Sequence, residues 1–294
     1  MNKKNLRGIY ACFFMMLTAL SLTACVCSST GMQTAARSSL YDRVIQSGKI
    51  RCAYVIYPPA CIKDPNTAKL SGIGIDAIEL VAKKLGLQVE WAEEVGWGSM
   101  IEGLQAGRYD LVASLVWTNA NRAKLVGFSK PLYYSPLFVY VKKGDKRFVG
   151  HFDRINSPTV KIGTIDGETG QVVADADFPK SARLSLTQMT DTAQLLLTVA
   201  SGKADLAIQE PAVANQYMRR NPNSIEPVSE GNGKPIRVFP NSWMFNRGES
   251  EFKAMIDTVL DEVINSGAMD KIISKYEYAP GEIYRVALPY QLPK

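Results

Sequence analysis

The chain has 294 residues, of which 46% are apolar, 9% aromatic and 21% charged. It is too apolar to be disordered and too mixed in composition to be a polytopic membrane protein, and its length suits one large domain or two smaller ones. The net charge of +6 falls to +3 without Lys3, Lys4 and Arg7, so we expect no nucleic-acid partner. A single histidine, His151, argues against a histidine metal site and a Ser-His-Asp triad, and we expect neither a metal nor a cofactor.

Residues 1–24 form a predicted export signal. Lys3, Lys4 and Arg7 precede a mostly apolar segment, residues 9–22, that is too short to cross about 30 Å of hydrocarbon as a helix. The segment ends in Leu-Thr-Ala-Cys25, which resembles the bacterial lipobox, in which the cysteine carries the lipid. The alternative is a plain signal peptide in which Cys25 is incidental. We expect a lipid on Cys25 and a flexible tether over residues 25–39, rich in Ser, Thr and Gly.

Beyond the tether, predicted strands and helices alternate along the chain. The pattern predicts strands over residues 49–55, 87–91, 110–115, 160–165 and 205–209. It predicts helices over residues 76–85, 98–106, 190–201 and 252–264. Alternating elements favour an α/β architecture with mainly parallel strands, and such sheets bind ligands at the carboxyl ends of their strands.

Three cysteines remain once the signal and the lipidated position are set aside: Cys27, Cys52 and Cys61. An odd number in an exported protein allows at most one internal disulfide. Cys52 lies on a predicted strand and Cys61 in the loop that follows, where the chain can fold back. The sequence leaves open whether they form a disulfide or two free thiols.

A series of separate motifs follows in order along residues 40–276. They are residues 49–51 leading to Tyr57-Pro58-Pro59, Gly72-Ile73-Gly74-Ile75-Asp76, Trp97-Gly98 leading to Leu104-Gln105-Ala106-Gly107, Asp110-Leu111-Val112, Arg122, residues 128–134, Ile162-Gly163-Thr164 with Gly167-Glu168-Thr169, Ser201-Gly202-Lys203-Ala204-Asp205 and residues 266–272. In this order and spacing the chain resembles the type II periplasmic solute-binding proteins of family 3, which deliver polar amino acids to ABC importers.

The resemblance implies a two-lobed periplasmic-binding-protein-like fold, in which each lobe is a mainly parallel sheet flanked by helices. Lobe 1 would comprise residues 40–137 and 242–294, and lobe 2 residues 138–241. Two strands would cross between the lobes near residues 137–141 and 238–244. The expected protein is a monomer, tethered by its lipid to a bacterial membrane and facing the periplasm or cell exterior. Its expected partners are a small-molecule solute and an ABC transporter permease.

Candidate binding residues in the first lobe follow predicted strands or precede a helix. Arg122 can present a planar guanidinium to a carboxylate, and in relatives the matching arginine holds the solute's α-carboxylate; the alternative is a surface arginine that caps a helix. Tyr57 and Trp97 match positions where aromatic side chains flank the solute, although such residues more often belong to a core. Ser114 is either a hydroxyl donor to the solute or a satisfied core serine.

Candidate residues in the second lobe surround two helix starts. Gly167, Glu168 and Thr169 precede a helix whose free N–H groups favour an anion, and relatives use this turn to complete the carboxylate site; the alternative is a simple helix start capped by Thr169. Glu210 stands where relatives usually place an aspartate for the solute's amino group. Its ordinary interpretation is favourable charge at the start of the next helix.

Three departures from the family pattern bear on the solute. Trp117 replaces a usual Ser or Thr, Gly74 replaces a usual acid, and Tyr54 occupies a position near the mouth that is often acidic. Fewer acids and more aromatic surface argue against a lysine or arginine carrier and favour an aromatic or organic-acid solute in a cleft lined by Tyr54, Tyr57, Trp97 and Trp117.

Three classes of function remain after these observations. The motif order favours a non-catalytic binding protein. The second class is an enzyme on the same scaffold, resembling cyclohexadienyl dehydratases, with Glu210 as general acid. The third is an extracytoplasmic sensor domain, which is less favoured because no following membrane helix or signalling domain is predicted.

Overall fold

A computed structural model of the chain describes residues 39–231 and 233–286. The predicted export signal, Cys25 and the tether up to residue 38 lie outside the described residues. The helices are α1 (Leu40–Ser47), α2 (Ile73–Lys84), α3 (Met100–Gln105), α4 (Ala120–Ala123), α5 (Thr169–Asp177), α6 (Thr192–Ala200), α7 (Pro211–Arg220), α8 (Ser250–Asn265) and α9 (Ala268–Tyr276), with a 3-10 turn at Phe152–Ile155.

The strands alternate with these helices along the chain. They are β1 (Lys49–Tyr54), β2 (Ile62–Lys63), β3 (Leu70–Ser71), β4 (Gln88–Glu94), β5 (Leu111–Trp117), β6 (Val126–Phe128), β7 (Tyr133–Lys142), β8 (Lys161–Ile165), β9 (Ala182–Leu186), β10 (Leu206–Gln209), β11 (Ile225–Val228), β12 (Arg237–Asn246) and β13 (Tyr284–Arg285). All nine elements predicted by periodicity are present, with ends that differ by at most three residues. The predicted α/β class is confirmed.

One large mixed sheet runs through the described residues in the order β4-β1-β5-β12-β7-β10-β8-β9, and β2 and β3 form a separate small ribbon. We call β4, β1 and β5 the first half of the sheet and β10, β8 and β9 the second half. Within each half neighbouring strands are parallel. This arrangement brings the carboxyl ends of β1, β5, β8 and β10 to the ligand-binding edge expected for parallel strands.

The long strands β12 and β7 join the two halves. β12 pairs with β5 through residues 241–245 and with β7 through residues 237–241, both antiparallel. β7 then pairs with β10 through residues 138–141. The crossing segments expected from the sequence therefore fall inside β7 and β12.

Each half of the sheet is covered by its own helices. Helix α2 packs on β4 and β5 and against α8 and α9, while α6 packs on β7, β8 and β10 and against α7. The apolar faces of α2 and α8 are buried, as their 3.6-residue periodicity requires. A buried carboxylate, Asp110, ties α1 to β1: it accepts hydrogen bonds from Arg43 Nη2 at 2.6 Å and from Arg51 Nη2 at 2.6 Å.

Strand β5 is distorted just before the candidate site. Leu115, fully buried, has φ of 64°, a conformation that is rare for a non-glycine residue. The register between β12 and β5 breaks at the same place, between Ser242 and Met244, as in a β-bulge. The distortion changes the direction of the end of β5, which carries Trp117.

The same distortion explains one departure from the family pattern. A Cβ atom at Gly74 would lie 2.3 Å from the carbonyl oxygen of Ala113 and 3.0 Å from the side chain of Leu115. Only glycine fits at this position, so the acidic side chain usual there is excluded by packing against β5.

Candidate functional site

Arg122 is buried beneath the ligand-binding edge rather than exposed on a helix. It lies on the short helix α4, where its N–H donates to Asn119 Oδ1 at 2.9 Å. Its Nη1 donates to the carbonyl of Trp117 and its Nη2 to the carbonyl of Gly167, both at 2.9 Å. Burial lowers the pKa of Arg122 to about 10, against the opposing charge of Glu168, so the group stays charged at neutral pH. No carboxylate among the described residues lies within salt-bridge distance of it.

Three aromatic side chains enclose the space next to this arginine. Tyr57 and Trp97 meet edge to face, with ring centroids 5.2 Å apart, and Trp117 stacks on Phe239 at 5.5 Å. A small cavity lies between them. Its lining residues are Tyr57, Trp97, Trp117, Glu168 and Thr169.

Tyr54 does not line this cavity, contrary to expectation. Its ring packs edge to face on Trp91, 6.1 Å away, and lies under the ammonium group of Lys63. The reason is the pleat of β1, which turns residue 54 toward β4 and the ribbon that carries Lys63. Ser114 is also absent from the cavity lining: it is fully buried, and its hydroxyl accepts the N–H of Val55 at 2.7 Å.

The turn before α5 uses most of its own N–H groups internally. The N–H of Gly167 donates to Gln171 Oε1 at 2.8 Å, that of Glu168 to the carbonyl of Ile165 at 3.0 Å, and that of Gly170 to Glu168 Oε2 at 3.1 Å. The Glu168 carboxylate thus occupies the helix start that the sequence suggested for a solute anion. Glu168 and Thr169 of this turn also line the cavity.

Glu168 and Glu210 are both almost completely buried, with 3% and 2% of their surfaces exposed. Burial raises the pKa of Glu168 to about 7, against the stabilising effects of the Gly170 N–H and the Arg122 charge. Burial also raises the pKa of Glu210 to about 8; the hydroxyls of Ser135 and Tyr57 oppose this rise, and the charge of Glu168 adds to it. Burial therefore raises the pKa of both carboxyl groups, and the charge of Arg122 acts on Glu168.

The polar residues around Glu210 were not identified from the sequence. Gln209 Oε1 accepts the Tyr57 hydroxyl at 3.1 Å and the N–H of Glu210 at 2.8 Å. Ser135 Oγ accepts from Asn241 Nδ2 at 2.8 Å. Gln209 Nε2 and Glu210 Oε1 are buried without a hydrogen-bond partner among the described residues. The sequence could have indicated Gln209, because it is the last residue of a predicted strand. Ser135 and Asn241 lie inside β7 and β12, where no local sequence pattern marks them as site residues.

The two halves of the sheet contact each other across the site. Besides the bond from Arg122 to Gly167, the N–H of Gly98 donates to Gln188 Oε1 at 2.8 Å. A Cβ atom at Gly167, where φ is 79°, would lie 3.0 Å from the Gly98 nitrogen and 3.1 Å from the Trp97 carbonyl carbon. These close approaches describe a closed arrangement.

Comparison with known proteins identifies the relatives of this chain. Residues 50–279 match the bacterial extracellular solute-binding proteins, family 3. The chain belongs to this family. Membership makes it an extracytoplasmic protein that binds a small-molecule solute and works with an ABC transporter.

Individual relatives of this family 3 protein share about a quarter of its sequence. It is 26% identical over 219 residues to a probable amino-acid ABC transporter-binding protein of Haemophilus influenzae, covering 74% of this chain and 79% of the relative. It is 24% identical over 269 residues to the L-cystine-binding protein TcyA of Bacillus subtilis, covering 90% and 94%.

A solved structure is similar in fold as well. It is an ancestral amino acid-binding protein described as a precursor of cyclohexadienyl dehydratase, with a TM-score of 0.71 and 26% identity, covering 82% of this chain and all of that one. The two-lobed type II fold expected from the sequence is thereby confirmed.

The remaining sequence predictions concern cysteines, metals and the membrane. Cys52 and Cys61 of this family 3 protein are free, buried thiols, and burial raises the pKa of Cys61 to about 12. Residues 39–231 and 233–286 contain no group of three or more His, Cys, Asp or Glu side chains placed to hold a metal. Within that same part of the chain, no helix has both the length and the apolar character needed to cross a membrane.

Proposed function

We propose that this protein captures an amino acid or a related small carboxylate solute and delivers it to an ABC importer. The observation that carries the proposal is the buried Arg122 guanidinium beside a cavity walled by Tyr57, Trp97 and Trp117. A charged fork in a site largely removed from water binds a carboxylate strongly and in a fixed orientation. Aromatic walls then supply apolar contact to the rest of the solute.

The solute is captured between lobe 1, residues 40–137 and 242–294, and lobe 2, residues 138–241. The hydrogen bonds from Arg122 to Gly167 and from Tyr57 to Gln209 join residues of the two proposed lobes. A solute that contacts both lobes favours the closed form because those contacts are lost on opening. Strands β7 and β12 supply the hinge.

The relatives support an amino-acid solute. Besides the Haemophilus and Bacillus proteins, matching sequences include a probable histidine-binding protein of Campylobacter jejuni and an L-arginine-binding protein of Pseudomonas aeruginosa. These four relatives are at most 26% identical to this chain. They therefore support the chemical class of the solute and not its identity.

The test is native mass spectrometry of the purified protein, followed by isothermal titration calorimetry against the twenty amino acids and a set of small organic acids. We expect a stoichiometric copurified or added carboxylate solute on a monomer. The Arg122→Ala variant should bind it at least a hundredfold more weakly, while Arg247→Ala, which removes an exposed arginine, should bind it normally. Full binding by Arg122→Ala would refute the assignment.

We also propose that a lipid on Cys25 holds the protein at the membrane surface. The sequence before Cys25 supports this, and relatives act outside the cytoplasm. Fractionation of cells that express the full chain should place it in the membrane fraction, with an acylated N-terminal peptide detectable by mass spectrometry. Cys25→Ala should move the protein to the soluble exported fraction; an unchanged distribution would contradict the anchor.

A second candidate is catalysis by Glu210 on the same scaffold. Its carboxyl is buried with a pKa of about 8, so it holds a proton at neutral pH as a general acid must, and one structural neighbour is described as a dehydratase precursor. Formation of phenylpyruvate from prephenate, lost in Glu210→Gln, would establish the enzyme. A bound solute recovered chemically intact supports the carrier.

A further inference from the structure

The segment that follows α9, residues 277–286, contacts both of the proposed lobes. It starts in lobe 1, where α9 ends at Tyr276. Its strand β13 then pairs antiparallel with Tyr133 and Tyr134 at the beginning of β7, also in lobe 1. Between these two points the segment contacts helix α7, which belongs to proposed lobe 2. We call residues 277–286 the strap.

Arg285 fixes the strap to lobe 1. Its Nε donates to Asp270 Oδ1 at 2.9 Å and its Nη2 to Ser274 Oγ at 3.2 Å, both on α9. Its Nη1 lies 2.6 Å from Glu277 Oε2, at the first residue of the strap. The neighbouring Ile283 is 2% exposed and packs into the larger apolar core. Both ends of the strap are therefore held on lobe 1.

Two side chains of α7 reach the strap from lobe 2. Asn215 Nδ2 donates to Glu282 Oε1, and the Arg219 guanidinium lies over the ring of Tyr278, 4.7 Å from its centroid. Side chains four positions apart lie on the same face of a helix, and a cation over an aromatic ring is attracted to it. Helix α7 begins directly after Glu210, so the strap holds a helix that starts at the candidate site.

The contact between the strap and α7 depends on a buried carboxylate. Glu282 is only 5% exposed, and its second oxygen, Oε2, accepts the N–H of Tyr278 at 3.1 Å. The next N–H, that of Ile283, donates to Glu277 Oε1 at 3.1 Å. These bonds fix the carboxylate within the strap. If α7 moved away from the strap, Glu282 Oε1 would lose the bond from Asn215, which is costly for a buried charged group.

We propose that the strap is a third connection between the lobes, beside β7 and β12, and that its contacts with Asn215 and Arg219 bias the protein toward the closed form. The inference rests on the proposed function for the division into two lobes that open and close. Strands β7 and β12 join the lobes covalently in either form. The strap joins them through side chains of α7, and contacts made only in the closed form shift the equilibrium toward it.

The strap acts on affinity without touching the solute. None of residues 277–286, all of which the structure describes, lines the cavity. The apparent dissociation constant of a solute that needs the closed form rises as the closed fraction falls. We expect loss of the strap contacts to weaken binding by about five- to thirtyfold. This factor should be the same for every solute that the protein binds.

The test uses a reporter of closure that needs no solute. The Gly98 N–H, in lobe 1, donates to Gln188 Oε1, in lobe 2, so its hydrogen exchange increases when the lobes separate. Exchange in the unliganded protein, followed by NMR, compares the wild type with the double variant Asn215→Ala, Arg219→Ala. We expect Gly98 to exchange about five- to thirtyfold faster in the variant, while the amides of β1 and β8, each inside one lobe, keep their wild-type rates.

Two outcomes of this experiment would overturn the proposal. Unchanged Gly98 exchange would show that the strap does not influence closure. An equal acceleration of exchange at Gly98 and throughout β1 and β8 would show that the substitutions destabilise the whole fold instead. The control is Gln216→Ala, which shortens the neighbouring amide side chain on the same helix and should exchange like the wild type.

A variant at the lobe 1 end of the strap gives an independent check. Arg285→Ala removes the bonds to Asp270 and Ser274 and leaves α7 unchanged. It should also accelerate Gly98 exchange. Because both changes act through the strap, combining Arg285→Ala with the α7 double variant should add little. Full multiplication of the two effects would show that the two sites act independently, and would refute the strap.

Titration calorimetry with the twenty amino acids and the organic acids separates this inference from the proposed function. Equal weakening of every bound solute in the double variant supports the strap, and weakening of one solute alone would place the effect in the cavity and overturn it. Normal solute binding with unchanged Gly98 exchange overturns the strap alone. A wild type that binds none of these compounds, with faster Gly98 exchange in the variant, overturns the proposed solute capture and supports the strap.

Discussion

The buried glutamates make the stability of the unliganded protein depend on pH in a direction that the structure determines. A carboxyl whose pKa is higher in the folded than in the unfolded state stabilises the fold only while it is protonated. The stabilisation is fully present below the unfolded pKa of about 4.5 and is lost as the pH rises through the folded value, about 8 for Glu210. We therefore expect the free energy of unfolding to fall between pH 5 and pH 9.

The magnitude follows from the same values. At about 1.4 kcal/mol per pH unit, the rise from 4.5 to about 8 corresponds to roughly 5 kcal/mol for Glu210 alone. Glu168 adds less than its separate value would suggest, because the two carboxyls titrate against each other. In Glu210→Gln the part of this dependence that belongs to Glu210 should disappear, while the part that belongs to Glu168 remains. The variant should therefore be more stable than the wild type by about 3–5 kcal/mol at pH 9 and similar to it at pH 5.

Urea denaturation at pH 5, 7 and 9 measures the effect directly. Glu251→Gln is the matched control, because it makes the same chemical change at an exposed position and should follow the wild-type curve. Parallel pH dependences for wild type and Glu210→Gln would refute the reasoning, since they would mean that Glu210 ionises normally in the folded protein.

Three further predictions address positions other than Glu168 and Glu210. Asp110→Asn should lower the free energy of unfolding by about 2–4 kcal/mol, because it weakens the bonds of a buried carboxylate to two partly exposed arginines. Titration calorimetry should give an unchanged solute affinity. A loss of affinity would show that Asp110 takes part in binding. Gly74→Ala should cost about 1–3 kcal/mol by overpacking against β5, and an unchanged urea midpoint would show that β5 relaxes freely. Gln188→Ala removes the acceptor of the Gly98 N–H and should raise the solute dissociation constant roughly three- to tenfold through faster release. Stopped-flow fluorescence can measure the release rate, with Gln194→Ala, at an exposed glutamine, as the control. Equal release rates for Gln188→Ala and the wild type would refute a role for the contact with Gly98.

Local patterns in the sequence determine most of the architecture. The apolar stripe of α8 and the buried run of β5 each define their element by themselves, because helix and strand periods depend on near neighbours. Arg122 and Tyr57 were identifiable for a related reason. Charged or aromatic side chains that follow strands of a parallel sheet meet at one edge, whatever the details of packing.

The chemistry of the site depends on distances that no local pattern contains. The sequence indicates a helix start at Glu168, and only the close approach of Gly167 to Trp97 and Gly98 makes Glu168 part of the cavity lining. Gln188 contacts Gly98 across 90 positions of sequence. Such contacts follow from the register of β7 and β12, which is set by the whole sheet.

What the sequence determined by itself is therefore the fold class, the order of the elements and the residues at the strand ends. What only the tertiary structure decided is which of those residues are removed from water. Burial is a property of all the chain segments around a group at once, and it is burial that raises the pKa values of Glu168 and Glu210. Tertiary contacts likewise hold the Ser114 hydroxyl on the N–H of Val55 and the Tyr54 ring on Trp91, away from the cavity.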